Sequence, residues 1–186
     1  PITSTNTVAS YPSPSLPTHG DVFDRAVNIK DKWSWNNSQS WSVKNGELIK
    51  KQGDSSYGLL KNSLAASAYL FEVGINTKDE AGVIAWWKDE QNCAYLGFEE
   101  SSNCWYFKTL VNGKETKESF ILPSDFQWGV YHTLRMERNT NLVRVFLDGI
   151  PAPGKSLFSF TSLPFERTIP GLFGSTGETY FDGLTH

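Results

Sequence analysis

The chain has little of what metal, redox or nucleic-acid chemistry needs. Its 186 residues include two cysteines, Cys93 and Cys104, and three histidines, His19, His132 and His186. Two thiols cannot build a four-cysteine zinc site or a disulfide-dense scaffold, so they either stay free or form one bridge. If the turn between them centres on Glu100–Ser101, symmetric pairing sets Cys93 opposite Lys108 and keeps the thiols apart. No run of about 18 apolar residues occurs, so no membrane insertion is expected. The net charge is −3, and Lys and Arg are scattered without a basic block, which argues against a nucleic-acid partner. Methionine occurs once, and no segment shows a convincing helical hydrophobic period.

Aromatic residues are abundant at 14%, and 15 glycines and 9 prolines fall at turn-like intervals. That composition favours an all-β domain. Residues 1–20, PITSTNTVASYPSPSLPTHG, carry no charge and are rich in Pro, Ser and Thr. They read as a linker or as a tail packed along the domain, with residues 21–186 forming one β-sandwich. The chain opens on Pro1 with no basic start before an apolar stretch, so it reads as an excised piece or mature fragment.

Period-two alternation predicts strands within 31–43 and over 48–51, 55–60, 68–76, 82–87, 94–98, 104–111, 115–122, 131–138, 142–148, 171–175 and 179–184. Asn45-Gly46 and Asn112-Gly113 are hairpin signals, and Asp148-Gly149 closes a strand. Asn36 begins an Asn-Asn-Ser glycosylation acceptor. Residues 123–129 and 151–167 read as loops. Strands at this spacing imply a two-sheet antiparallel sandwich.

Residues 81–107, AGVIAWWKDEQNCAYLGFEESSNCWYF, hold three of the seven tryptophans and two of the seven tyrosines. If Val83, Ala85 and Trp87 face the core, Ile84 and Trp86 face out. Leu96, Phe98, Trp105 and Phe107 then point in, and Tyr95, Gly97, Tyr106 and Lys108 point out. Trp86, Tyr95 and Tyr106 would form an outer aromatic row on which the C–H face of a sugar can stack. Asp89, Glu90, Gln91 and Asn92 in the next turn would direct its hydroxyls. A one-residue slip returns these rings to the core. Arg135 and Arg144, off the core face, either bind a ligand or pair with a carboxylate such as Glu137.

The segments WSVKNGEL (41–48), GVIAWWKDEQNCAYLGF (82–98), WGVYHTLRMER (128–138), VRVFLDG (143–149) and PGLFGS with YFDGL (170–184) occur in this order. Together they resemble a concanavalin A-like, laminin-G-like jelly roll, as in bacterial carbohydrate-binding modules of levanase type and sugar-hydrolase-like domains of the same fold. The resemblance covers about residues 21–184. It implies two antiparallel sheets and a ligand on one face or on rim loops. In the relatives the position matching Trp86 is often Arg, which separates their sugar specificity from this chain's. Related sandwiches often hold a structural Ca²⁺ near where the first and last strands meet, and Asp21, Asp24 and Asp182 would be its ligands, or else ordinary turn aspartates.

Glucan-cutting enzymes of this fold place carboxylates two apart on one strand, as E-x-D-x-E, so that nucleophile and acid share a face. This sequence has no such run: Asp89-Glu90 and Glu99-Glu100 are adjacent pairs, and Glu178 and Asp182 are too widely spaced. The histidines support no Ser–His–Asp arrangement. The expectation is therefore a lectin-like module without catalysis, binding an oligosaccharide or polysaccharide. It would be a monomeric domain of a larger secreted or cell-surface protein. A glycan-acting enzyme and a laminin-G-like adhesion domain are the alternatives.

Overall fold

A computed structural model describes residues 32–61, 68–160 and 169–185. Fifteen strands run through them. They are β1 (Trp33–Trp35), β2 (Trp41–Lys44), β3 (Glu47–Lys50), β4 (Ser56–Leu60), β5 (Ala68–Thr77), β6 (Ala81–Asp89), β7 (Asn92–Glu99), β8 (Cys104–Val111) and β9 (Lys114–Ile121). The rest are β10 (Tyr131–Asn139), β11 (Leu142–Leu147), β12 (Ile150–Pro151), β13 (Leu157–Ser159), β14 (Gly171–Gly174) and β15 (Thr179–Thr185).

One antiparallel sheet has the order β1-β4-β14-β6-β7-β8-β9, and the other runs β12-β11-β10-β5-β15-β3-β2, with β13 paired to β11. They form the expected jelly-roll sandwich. The Asn-Gly and Asp-Gly signals are left-handed at both positions, with φ of 56° and 86° at Asn45-Gly46, 52° and 74° at Asn112-Gly113, and 50° and 78° at Asp148-Gly149. This is the backbone of a two-residue hairpin turn whose twist matches that of its strands.

Alternation sorts side chains as the sequence implies over most strands. Phe71, Val73 and Ile75 of β5, Leu134 and Met136 of β10, and Val143, Val145 and Leu147 of β11 meet Val83, Leu96, Phe98, Trp105 and Phe107 between the sheets. The segment 151–167, read as strandless, contains β13 and the last residue of β12. Phe158 of β13 is buried against Trp105 and Phe107. Strands of two and three residues broken by Pro, Gly and Ser are too short to show a period, and pairing with β11 alone makes them extended.

Both cysteines are buried free thiols. Cys93 lies opposite Leu110, two residues past the Lys108 of the symmetric expectation, and Cys104 lies opposite Glu99. A 3-10 turn at Glu100–Ser102 with Asn103 left-handed lengthens the connection and shifts the register.

Gly58 of β4 lies opposite Trp35 of β1, whose ring occupies the space a side chain would take. A Cβ on Gly58 would stand 2.0 Å from a ring carbon of Trp35. Trp35 in turn stacks on Trp33 at 5.2 Å and on Trp41 at 4.6 Å, so it cannot withdraw without opening the core. Gly58→Ala is expected to cost about 2–3 kcal/mol as overpacking. Chemical denaturation measures this, and an unchanged midpoint would show that the tryptophan stack yields.

Candidate functional site

The outer face of the seven-stranded sheet carries a second apolar cluster, separate from the core. Cross-strand register lays down two parallel rows. Tyr57, Phe173, Gly82, Gly97 and Tyr106 are neighbours across β4, β14, β6, β7 and β8. Beside them run Leu59, Gly171, Ile84, Tyr95 and Lys108. Period two puts both rows on the same side. Ile84, Tyr106 and Phe173 are buried there, and Tyr57, Leu59, Trp87 and Tyr95 pack round them, half-buried. Gly97 makes the arrangement fit, because a Cβ there would lie 2.8 Å from the end of the Phe173 ring. Phe173 therefore lies across the sheet and meets Tyr95 edge-on at 5.3 Å.

A cleft of about 340 Å³ opens over these rows. That is within the range of roughly 300–1,000 Å³ usual for small-molecule sites. Tyr57, Tyr95 and Phe173 form its apolar walls, Asn36, Glu80 and Lys108 are its principal polar groups, and Ser55, Ser56 and Ser175 also line it. The Lys108 ammonium sits 4.8 Å from the centre of the Tyr95 ring and 5.9 Å from that of Tyr106. Burial raises the pKa of the Tyr95 phenol, with Cys93 and Glu90 adding to the shift, so the ring stays neutral. Tyr57 is raised too, chiefly by burial and then by Glu90.

The expected platform is corrected in part. Ile84, Tyr95, Tyr106 and Lys108 take the outer face as read. Trp86 does not: it is fully buried in the inter-sheet core. The reason is a β-bulge. Ile84 pairs with Tyr95 and Trp86 with Ala94, leaving Ala85 as the extra residue. Ala85 and Trp86 both point inward, and Trp87 turns out to meet Tyr57 at 4.7 Å. The Ala85 carbonyl accepts a hydrogen bond from the Tyr69 hydroxyl of the other sheet, which anchors the bulge. Nothing in the residue types of 81–89 marks a bulge, so alternation alone could not find it.

Tyr106 faces outward yet is fully buried, its hydroxyl donating to Glu80 Oε1 at 2.5 Å and Lys117 lying 4.3 Å above its ring. Its phenol pKa is pushed far up by burial and then by Glu80. It supports the cleft floor without offering a stacking face. Asp89 and Asn92 hold their own turn together. Asp89 Oδ1 accepts from Asn92 Nδ2 and from Gln91 N, both at 2.9 Å, and Asn92 Oδ1 accepts from Asn112 N at 3.0 Å. The Asn92 amide holds the Asp89 carboxyl below its ordinary value. Glu90 is exposed beside them.

Arg135 lies on the outer face of the other sheet, where its guanidinium is hydrogen-bonded to Glu137 and stands 5.3 Å from the Phe146 ring. It is thus not grouped with the aromatic rows. Sequence reading missed Asn36, Tyr57, Glu80 and Phe173, which come from four separate segments. Only the pairing of β4, β14 and β6 brings them together.

Of the three proposed Ca²⁺ ligands, Asp21 and Asp24 lie outside the described residues. Asp182 Oδ1 accepts from Gly183 N at 2.8 Å. Among the described residues no group of three His, Cys, Asp or Glu side chains could hold a metal. Asp182 is thus engaged by its own turn, and the other two candidate ligands are not among the described residues.

Two carboxyls beside the cleft titrate below their ordinary values. Glu99 is lowered by Lys117, whose Nζ is 2.8 Å away, and then by the Ser102 hydroxyl. At Asp79 burial pushes the pKa up, but donation from Glu80 N, Thr176 Oγ1 and Gly177 N outweighs it. A depressed folded pKa stabilises the fold above the unfolded value, about 4, and this is lost as pH falls through the folded one. Tm is expected to hold from pH 7 to about 5 and to fall below about pH 4. Asp79→Asn should shallow that acid limb in a pH series of thermal melts; an identical limb would remove Asp79 as a source.

No protein-family model and no curated protein matches the chain. Solved structures do. The carbohydrate-binding module CBM66 from Bacillus subtilis superposes with a TM-score of 0.68 at 17% identity, over 82% of this chain and 93% of that one. The catalytic domain of an endo-1,3-β-glucanase (laminarinase) from Thermotoga petrophila gives 0.66 at 11%, over 90% and 96%. A β-glucanase from Bacillus licheniformis gives 0.65 at 12%, over 92% and 98%. The chain thus shares the concanavalin A-like jelly roll of a carbohydrate-binding module and of glucan-cutting enzymes.

Proposed function

We propose that this domain binds carbohydrate without cutting it, and that the ligand lies in the cleft walled by Tyr57, Tyr95 and Phe173. It would target a larger secreted or cell-surface protein to a glycan. The observation that carries the reading is the join of the half-buried Tyr57 and Tyr95 rings and the buried Phe173 to polar groups in one cleft. Rings accept the apolar face of a sugar, and an amide, a carboxylate and an ammonium suit its hydroxyls. The presence of a carbohydrate-binding module among the structural neighbours supports it.

Binding is favoured over hydrolysis by the carboxylates. Glycosidases set two of them roughly 5–10 Å apart across the scissile bond. Among the described residues lining the cleft, Glu80 is the one carboxylate, and one of its oxygens already accepts from Tyr106. The sequence also lacks the alternating carboxylate run of the glucan-cutting enzymes.

The test is a glycan array with the full chain, followed by calorimetry on each hit and an assay for reducing ends. Saturable binding with no product supports the proposal. A blank array, or turnover of any bound glycan, overturns it.

A further inference from the structure

Asn36 lies between β1 and β2 and lines the cleft. Its amide is oriented by a chain of hydrogen bonds whose directions are fixed. The Trp41 indole Nε1–H can only donate, and it donates to Ser56 Oγ at 2.7 Å. The Ser56 hydroxyl then turns its own hydrogen to Asn36 Oδ1 at 2.8 Å. The backbone N–H of Tyr57 donates to the same Oδ1, also at 2.8 Å. Two donors on one oxygen settle which end of the amide is which. The other end, Nδ2, has no protein acceptor among the described residues, and Asn36 is solvent-exposed.

An exposed donor held in place from a buried tryptophan is more than a turn needs, since Oδ1 alone serves the turn. Ring walls, a fixed N–H donor and the Lys108 ammonium suit a ligand that offers oxygens as acceptors. The charge around the cleft chooses among such ligands. Lys108 contributes one positive charge, while Glu80 lines the cleft and Glu90 acts on both Tyr57 and Tyr95. Lys117 is neutralised by Glu99. The balance is not positive, so a carboxylate-bearing sugar gains no attraction there.

We propose that Asn36 is the specificity-determining donor of this cleft, its Nδ2 binding an oxygen of a neutral sugar while the Trp41–Ser56 relay fixes its orientation. This rests on the carbohydrate-binding reading above. It extends that reading by naming the contact residue and excluding uronic-acid glycans as preferred ligands.

Asn36→Asp is the direct test. The substitution keeps an acceptor for Ser56 and Tyr57 and turns the outward donor into a negatively charged acceptor. Affinity for neutral glycans is expected to fall about tenfold or more, with Tm within about 2 °C of wild type. Side-chain amide NMR of the wild-type chain provides a second readout. The Asn36 Nδ2 resonances should form one rigid pair and shift when a neutral oligosaccharide is added. Wild-type-like binding by Asn36→Asp, or unmoved Asn36 resonances in a saturated complex, overturns this inference and leaves the carbohydrate-binding reading standing. A preference of the wild type for uronic-acid glycans over neutral ones overturns the neutral-ligand assignment. Absence of any glycan binding by the wild type overturns both.

Discussion

Trp86→Ala is expected to lower the unfolding free energy by about 3–5 kcal/mol, the usual cost of deleting a large buried ring. Trp86 is fully buried, meets Phe107 and Phe160 edge-on at 5.7 and 5.4 Å, and lies 5.5 Å from the guanidinium of Arg138. Removing it leaves a cavity that the two sheets cannot close, and takes from the buried Arg138 a ring partner; Tyr69 is another, at 5.7 Å. For a domain of this size the loss corresponds to a fall in Tm of roughly 10 °C. Trp87→Ala is the control. Its ring is half-buried on the outer face and packs on Tyr57, so the expected cost is about 1 kcal/mol. Thermal or denaturant unfolding of the pair decides the orientation of the bulge. If Trp86→Ala melts like wild type and Trp87→Ala collapses, the strand is out of register and the core described here is wrong.

Tyr95→Ala is expected to weaken glycan binding by about 10- to 100-fold, the worth of one stacking ring in a cleft. Tyr95 stands at the centre of the outer face, between Ile84 and Lys108, with Phe173 edge-on to it. Truncation removes the stacking surface and also frees the Lys108 ammonium, which rests 4.8 Å from the ring centre. Tyr95→Phe separates ring from hydroxyl. It keeps the face and loses only the hydroxyl, so binding should stay within about threefold of wild type. Calorimetry on both variants, with Tm recorded for each, gives the answer. Equal binding by wild type and Tyr95→Ala would remove the cleft as the site even if glycans bind. Equal loss in Tyr95→Phe and Tyr95→Ala would make the hydroxyl, and not the stacking face, the contact.

Much of the fold is legible along the chain because strand alternation and hairpin turns are local. Asn45-Gly46, Asn112-Gly113 and Asp148-Gly149 mark turns through the left-handed backbone they tolerate, whatever the tertiary setting. Leu134 and Met136 point inward as their spacing demands. The same spacing explains Arg138, two residues further on, which is 3% exposed. Its place beneath Trp86 and Tyr69 follows from parity, even though a charged residue reads as surface.

The candidate site was legible only in its β7–β8 half. Tyr95 and Tyr106 carry the outward parity expected of them, because both strands are regular from Ala94 to Phe107. Trp86 carries the opposite one, since the bulge at Ala85 adds a residue that no composition signal announces. Asp89 and Asn92 are polar and next to the rings, which suggests a ligand; instead Asn92 donates to Asp89 across a tight turn. Arg135 lies on the other sheet and pairs with Glu137, the second of the two alternatives its sequence allowed.

By itself, then, the sequence determined the all-β class, the positions of the main hairpins, the inward faces of the long strands and the surplus of aromatic residues. These depend on steric preferences and period-two geometry within about ten residues of chain. The tertiary structure alone decided which rings share a face and which of them reach solvent. It drew Asn36, Tyr57, Glu80 and Phe173 into one cleft through pairings between β4, β14 and β6, segments as far apart as residues 57 and 173. Long-range register is set by the fit of the whole core, and a bulge of one residue is enough to exchange what is buried for what is offered to a ligand.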